Sequence, residues 1–211
     1  MKVLELILIG AGGHARSCID VIERQGLFQI IGLVGLQEQH DGISQVCGYP
    51  IIGTDKDLPD ISKNYKHALI TIGQIQSAEP RIRFYQEAIQ LGFQLPTIVS
   101  PNAYVSGHAT LGAGTIVMHG AIINAGVSIG NNCIINSRAL VEHDARVEDD
   151  CHISTGAVLN GDVKIGASSF IGSGSIIKQG ISIGRSCVVG MGLGVRSDLN
   201  DCIQFTGYDV A

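Results

Sequence analysis

The sequence predicts two joined folds: a small Rossmann-like α/β domain over residues 1–97 and a parallel β-helix over residues 98–211. Three observations carry this. From Val99 to Asn200 an aliphatic residue recurs every six positions, seventeen times without an insertion. The fifth place of each hexad is mostly small, as at Ala103, Ala121, Cys133, Ala139 and Ser175. Ahead of the repeat, an apolar run from Leu4 to Ile9 leads into Gly10-Ala11-Gly12-Gly13 and then a helical pattern.

The hexads come first in the argument. A period of six fits neither a 3.6-residue helix nor long strict alternation. It fits one short strand per hexad, with a corner that turns the chain onto the next of three faces, so that a coil takes about 18 residues. The large aliphatic residues then stack inside, with the small ones near the axis. A sandwich of short strands would need turns of varying length, and the spacing here does not vary. Gly or Asn often takes the second place, as at Gly112, Asn124, Gly130, Asn136 and Gly166, and reads as a corner residue tolerant of positive φ.

In the N-terminal region the order is strand, glycine loop, helix to about Arg24, and strand at Ile30 to Val34. A third strand at Ala68 to Ile72 and a helix from about Pro80 to Leu91 follow. This is a small parallel α/β unit, and its loop falls at the carboxyl end of the first strand, where such sheets bind ligands. Gly10, Gly12 and Ala15 satisfy a loose G-x-G-x-x-A. One half-unit is too short for a two-halved dinucleotide fold, and Glu38 comes late for a ribose contact. Two readings stay open: a backbone approach to a phosphate or sugar, and a tight turn without ligand.

Composition narrows the function classes. The chain has 211 residues and a net charge of −5, so a nucleic-acid interface lacks its electrostatic footprint. No apolar run reaches the length of a membrane span. Cys133, Cys151 and Cys187 occupy inward fifth positions and there is no C-x-x-C pair, which reads as packing in a reducing, cytoplasmic compartment.

Chemistry concentrates at His143-Asp144, positions three and four of their hexad. A carboxylate beside an imidazole orients it and raises its basicity, as a general base near neutral pH requires. One coil earlier lies Ala125 and one coil later Gly161, both small enough to leave a notch for the ring. A solvated surface histidine is the competing reading. His152 reads first as an exposed corner residue. His108, His119, His143 and His152 are never 18 apart, so no histidines stack into a metal site and no metal is expected.

Several stretches together resemble a known family: Ile9-Gly10-Ala11-Gly12-Gly13-His14, the hexads, Asn136-Ser137-Arg138-Ala139-Leu140-Val141-Glu142-His143-Asp144, and His152-Ile153-Ser154-Thr155-Gly156-Ala157. They are similar to bacterial sugar acetyltransferases that join a nucleotide-binding domain to a left-handed β-helix of hexapeptide repeats. That family includes N-acetyltransferases of nucleotide-linked 4-amino sugars and sialic acid O-acetyltransferases. The resemblance implies a homotrimer that uses acetyl-CoA, with the active site between neighbouring β-helices and no acetyl-enzyme. It implies His143 as base with Asp144 as its partner, and Asn136 at the sugar. It further implies Gly12, Gly13 and His14 on the nucleotide side, and His152 and the Gly161 N–H at the acetyl end of CoA. The expected reaction is N-acetylation of a 4-amino-4,6-dideoxy sugar for a surface glycan. O-acetylation of a sialic-like acid and a non-catalytic sugar-binding module are the alternatives. The chain departs from the family at Gly35-Leu36-Gln37, where acidic residues are usual, and in the tail Gly207-Tyr208-Asp209-Val210-Ala211.

Overall fold

The computed structural model describes residues 3–35 and 44–207. Leu36, Gln37 and Glu38, and the tail from Tyr208 onward, lie outside the described residues. The chain divides into two units. One runs to Gly73 and resumes over Glu79–Ile98; the other takes Gln74–Ala78 and the chain from Val99 onward.

The first unit is a five-stranded sheet flanked by helices. Its strands are β1 (Leu4–Ile9), β2 (Phe28–Gly35), β3 (Gln45–Val46), β4 (Tyr49–Thr54) and β5 (His67–Ile70); its helices are α1 (Gly13–Gln25), α2 (Leu58–Asn64) and α3 (Glu79–Gln90). The sheet order is β3-β4-β2-β1-β5, parallel except for the β3–β4 hairpin. Burial on both faces explains why β1 is a continuous apolar run: Leu6, Ile7, Leu8 and Ile9 are all fully buried. Helix α1 lays Ala15, Cys18, Ile19 and Ile22 inward. It stops at Gly26, whose left-handed backbone lets its N–H reach the Ile22 carbonyl at 3.0 Å. The β3–β4 hairpin and α2 are additions to the elements expected from sequence.

The second unit is the expected β-helix. The two-residue strands pair in parallel with the strand 18 residues on, as in Val141↔Leu159, until the last coil, where Val188↔Gln204 and Ile183↔Leu199 shorten the spacing to 16. Three sheets result. An apolar face carries β7 (Tyr104–Val105), β10 (Ile122–Ile123), β13 (Leu140–Val141), β16 (Val158–Leu159), β19 (Ile176–Ile177) and β22 (Gly194–Val195). A polar face carries β8 (Thr110–Leu111), β11 (Ser128–Ile129), β14 (Arg146–Val147), β17 (Lys164–Ile165) and β20 (Ser182–Ile183). The third carries β6 (Ile98–Val99), β9 (Ile116–Val117), β12 (Ile134–Ile135), β15 (His152–Ile153), β18 (Phe170–Ile171), β21 (Val188–Val189) and β23 (Gln204–Phe205). The second residue of each two-residue strand is the aliphatic first position of the hexad and points into the core.

The corners divide labour differently from the sequence reading. Left-handed backbone occurs at the fourth position, for example Gly126, Arg138, Asp144, Gly156 and Asp162, and not at the second. Second-position glycines answer to a steric demand instead. A β-carbon on Gly166 would lie 2.6 Å from the Arg185 nitrogen in the next coil.

One corner column adds polar order to the core. Thr115, Cys133, Cys151, Ser169 and Cys187 stack at 18-residue spacing between the polar and third faces. Thr115 Oγ1 donates to the Gly130 carbonyl at 2.8 Å, and Ser169 Oγ to Gly184 at 2.9 Å. The thiols of Cys133, Cys151 and Cys187 donate to Glu148, Gly166 and Asn200 at 3.1, 3.2 and 3.0 Å. The sequence marks these residues as small; the structure makes them donors to partly buried backbone carbonyls of the next coil.

Candidate active site

His143 and Asp144 stand at the corner between the apolar and polar faces, after β13. Two features of the neighbouring coils make room for them. The His143 ring lies flat against Gly161: a β-carbon there would come within 2.7 Å of the imidazole Cε1 and Nε2. The Asp144 carboxylate occupies the space a β-carbon on Gly126 would need. The backbone locks the corner on both sides. Asp144 N–H donates to the Ala125 carbonyl at 3.1 Å, and Asp162 N–H to the His143 carbonyl at 3.0 Å. Asp144 itself adopts φ of 61°, a conformation Asp tolerates better than most residues.

The two side chains bond to each other, His143 Nδ1 to Asp144 Oδ2 at 2.9 Å. They are 58% and 68% exposed. The hydrogen bond with Asp144 is the main cause holding the His143 pKa above the usual 6.5; desolvation opposes it, and the charges of Asp144, Glu142 and Asp162 add to the rise. Among the described residues His143 Nε2 has no hydrogen-bond partner.

Among the described residues the Gly161 N–H has no hydrogen-bond acceptor, and the residue is buried against the His143 ring. At the same third hexad position, the N–H groups of Ala113, Asn131, Ser137, Ala167 and Arg185 are capped by side-chain oxygens of Asn131, Asp149, Asn136, Glu148 and Asp201. Among the described residues no such cap reaches Gly161. A polarised donor beside a raised-pKa imidazole is suited to a developing oxyanion.

Asn136 and His152 form a second cluster, after β12 and on β15. His152 is 7% exposed, which corrects the expectation of an exposed corner histidine. Residues 74–78, which belong to this unit, cover it: the Gln74 carbonyl lies 2.7 Å from His152 Nδ1. Nothing in the hexad spacing points to a residue 78 positions earlier, so sequence reasoning had no signal for this contact. Asn136 Nδ2 lies 3.0 Å from His152 Nε2.

In the first unit, the loop carrying Gly12, Gly13 and His14 opens α1. Gly12 is the N-cap, has no side chain to cap the helix, and no acidic residue follows in the first turn. Gly10 has φ of 116° and approaches Ile72 so closely that a β-carbon would lie 2.7 Å from its side chain. Thr71 Oγ1 donates to the Gly10 carbonyl at 2.6 Å. Arg81, fully buried on α3, braces the neighbouring loop after β5: its Nη1 donates to the Ile70 and Ile72 carbonyls at 2.7 and 2.9 Å. The loop sits where the sheet order reverses around β1, the place at which open α/β sheets receive ligands. Arg81 escaped the sequence reading because a lone Arg on an amphipathic helix ordinarily marks its solvent side.

Among the described residues no group of three or more His, Cys, Asp or Glu is placed to hold a metal ion, and no helix is long and apolar enough to cross a membrane.

Comparison with known proteins agrees with this architecture. Residues 5–87 match the PglD N-terminal domain, 126–161 the bacterial transferase hexapeptide, and 162–196 the hexapeptide repeat of succinyl-transferase. No curated protein sequence matches. Among solved structures, PerB from Caulobacter crescentus, in complex with CoA and GDP-perosamine, is 32% identical with a TM-score of 0.86; the alignment covers 93% of this chain and 91% of that one. The acetyltransferase domain of PglB from Neisseria gonorrhoeae, in complex with acetyl coenzyme A, is 31% identical with a TM-score of 0.85, covering 94% and 93%. WeeI from Acinetobacter baumannii, at 20% identity and a TM-score of 0.71 over 90% and 94%, shares the fold. The chain belongs to the PglD-type bacterial sugar acetyltransferases, with an N-terminal α/β domain and a left-handed β-helix of hexapeptide repeats. It is an acyltransferase by that membership.

Proposed function

We propose that this protein transfers the acetyl group of acetyl-CoA to the amino group of a nucleotide-linked 4-amino-4,6-dideoxy sugar, in the biosynthesis of a surface glycan. The observation that carries the reading is the His143 corner: an imidazole bonded through Nδ1 to Asp144, its Nε2 without a partner among the described residues, packed on a buried glycine whose N–H has no acceptor there. The likeness to a perosamine N-acetyltransferase structure with CoA and GDP-perosamine supports the substrate class.

In this mechanism Asp144 accepts the Nδ1 proton's hydrogen bond and so holds the lone pair on Nε2. Nε2 takes a proton from the amine as the nitrogen attacks the thioester carbonyl. The Gly161 N–H stabilises the oxyanion; one such donor is worth about 10²–10³ in rate. The intermediate collapses with cleavage of the C–S bond, and the imidazolium returns its proton to the departing CoA thiolate. Both substrates are held together, so no acetyl-enzyme forms. Asn136 contacts the sugar, and Gly12, Gly13 and His14 meet the nucleotide, where an uncapped helix N-terminus favours an anion.

The working form is a homotrimer. The outward residues of the apolar face favour this: Tyr104, Ile122 and Ile176 are 58%, 40% and 52% exposed, with Leu140 and Val158 between them. A stripe of this kind on one face of a solenoid is suited to two further copies of the same chain. The six cysteines, none of them paired, favour the cytoplasm.

The test is thiol release from acetyl-CoA with UDP-, dTDP- and GDP-linked 4-amino sugars, beside free and CMP-linked sialic acids. Turnover of an amino sugar that His143→Ala abolishes supports the proposal. Turnover confined to sialic acids replaces it with O-acetylation.

A further inference from the structure

The two histidines near the proposed chemistry live in opposite settings. His143 is exposed with Nε2 open, whereas His152 is buried, its ring edge-on to Phe170 at 5.2 Å. Elementary donor and acceptor rules settle the His152 tautomer. The Gln74 carbonyl, 2.7 Å from Nδ1, can only accept, so Nδ1 carries the proton. From the other end, the Ser137 N–H can only donate, and it lies 2.7 Å from Asn136 Oδ1. That contact turns the Asn136 amide nitrogen toward the ring, where Nε2 stands 3.0 Å away. Nε2 therefore accepts. Each obligate partner agrees with a neutral imidazole protonated at Nδ1. An imidazolium would set an Nε2–H against an amide N–H.

We propose that His152 is a positioning residue, which holds the Asn136 amide in one orientation through Nε2 and does not touch the thioester. This differs from the direct contact with CoA that the family resemblance implies for it, and it rests on the reading of Asn136 as a contact to the acceptor sugar. The lone pair that would serve as a base is spent on Asn136, and the N–H that would bind a carbonyl is spent on Gln74. His143 then carries the proton transfers alone. Asn136 keeps its second Nδ2 proton for an oxygen of the acceptor.

Two near-isosteres separate this role from contact with the thioester. The amide of a glutamine reaches the place of Nε2, and that of an asparagine the place of Nδ1. In the full chain, His152→Asn keeps a partner for Gln74 and removes the one for Asn136. We expect it to raise KM for the acceptor at least tenfold, to leave KM for acetyl-CoA within twofold, and to leave the acidic limb of the pH profile in place. His152→Gln, which restores an acceptor for Asn136, should recover most of that loss. Combining His152→Asn with Asn136→Ala should be no worse than Asn136→Ala alone, since the effect runs through one residue. A raised KM for acetyl-CoA, or losses that multiply in the double variant, overturns the proposal. Imidazole ¹⁵N spectra of the wild-type protein read the clamp without any turnover: a proton on Nδ1 of His152 is expected, and an Nε2–H tautomer overturns it. Absence of acetyl transfer by the wild type against every acceptor defeats the functional reading instead, and leaves the spectra to decide the clamp.

Discussion

The His143 imidazole rests on the backbone of Gly161 with no space for a side chain between them; a β-carbon would sit 2.7 Å from Cε1 and Nε2. The relationship joins two coils into one chemical unit, a base on the first and an uncapped N–H on the second. Gly161→Ala should displace the ring and lower kcat/KM by about 10² or more, the scale of a lost oxyanion donor or misplaced base. Gly161 does not have positive φ, so the variant should fold. Thiol-release kinetics beside a thermal melt distinguish the two effects.

The pH dependence follows from the direction of the His143 shift. The base must be neutral to accept a proton, and Asp144 raises its pKa above 6.5. The acidic limb of kcat/KM should therefore lie above that value in the wild type. Asp144→Asn should move the limb to lower pH while lowering the plateau. His143→Ala should lose about 10²–10⁴ in kcat, the usual share of a general base. Stability has the same sign: a raised pKa favours the folded state below the unfolded value and loses that contribution as pH rises through the folded one. Rate profiles from pH 5 to 9 check the first, and melts over the same range the second.

The corner column predicts an asymmetry among conservative changes. Cys151→Ser keeps a donor to the Gly166 carbonyl, whereas Cys151→Ala removes the donor to that partly buried carbonyl, at a cost of about 0.5–1.5 kcal/mol. The alanine variant should melt several degrees below the serine variant, as scanning calorimetry would show.

Arg81→Met should destabilise the first unit, since two carbonyls at Ile70 and Ile72 lose their donor and each costs roughly 1–3 kcal/mol. Urea titration should give a lower midpoint. The reactivity of Cys18, whose pKa burial pushes up to about 12, should rise as the unit opens.

The apolar face predicts dissociation. Val158→Asp places a charge in the middle of the stripe and should convert the proposed trimer to monomer on sedimentation, with loss of acetyl transfer. A wild type that sediments as a monomer would remove the proposed assembly.

Much of this was legible in the sequence because a solenoid writes its geometry as a period. The aliphatic first positions and the approach of Gly161 to His143 follow from adding 18. What the period does not encode is contact across long separations. The burial of His152 depends on Gln74, and that of Arg81 on the loop after β5. The distinct demands on glycine at the second and fourth positions were also hidden, since both read as tolerant corner residues. Only coordinates separate a close approach between coils from a left-handed backbone.

The column of Thr115, Cys133, Cys151, Ser169 and Cys187 bears on how the chain finds its own alignment. Every first position is aliphatic, so a coil mispaired by one face would still bury oil against oil. Such a slip would set Ala121, Ala139 and Ala157 beneath carbonyls that lose a donor, at about 0.5–1.5 kcal/mol apiece, although Ser175 in the same alanine column does donate, to Gly190. One corner of the prism is thus marked apart from the others, and a chain wound one face out of step meets a penalty in each coil that places an alanine there.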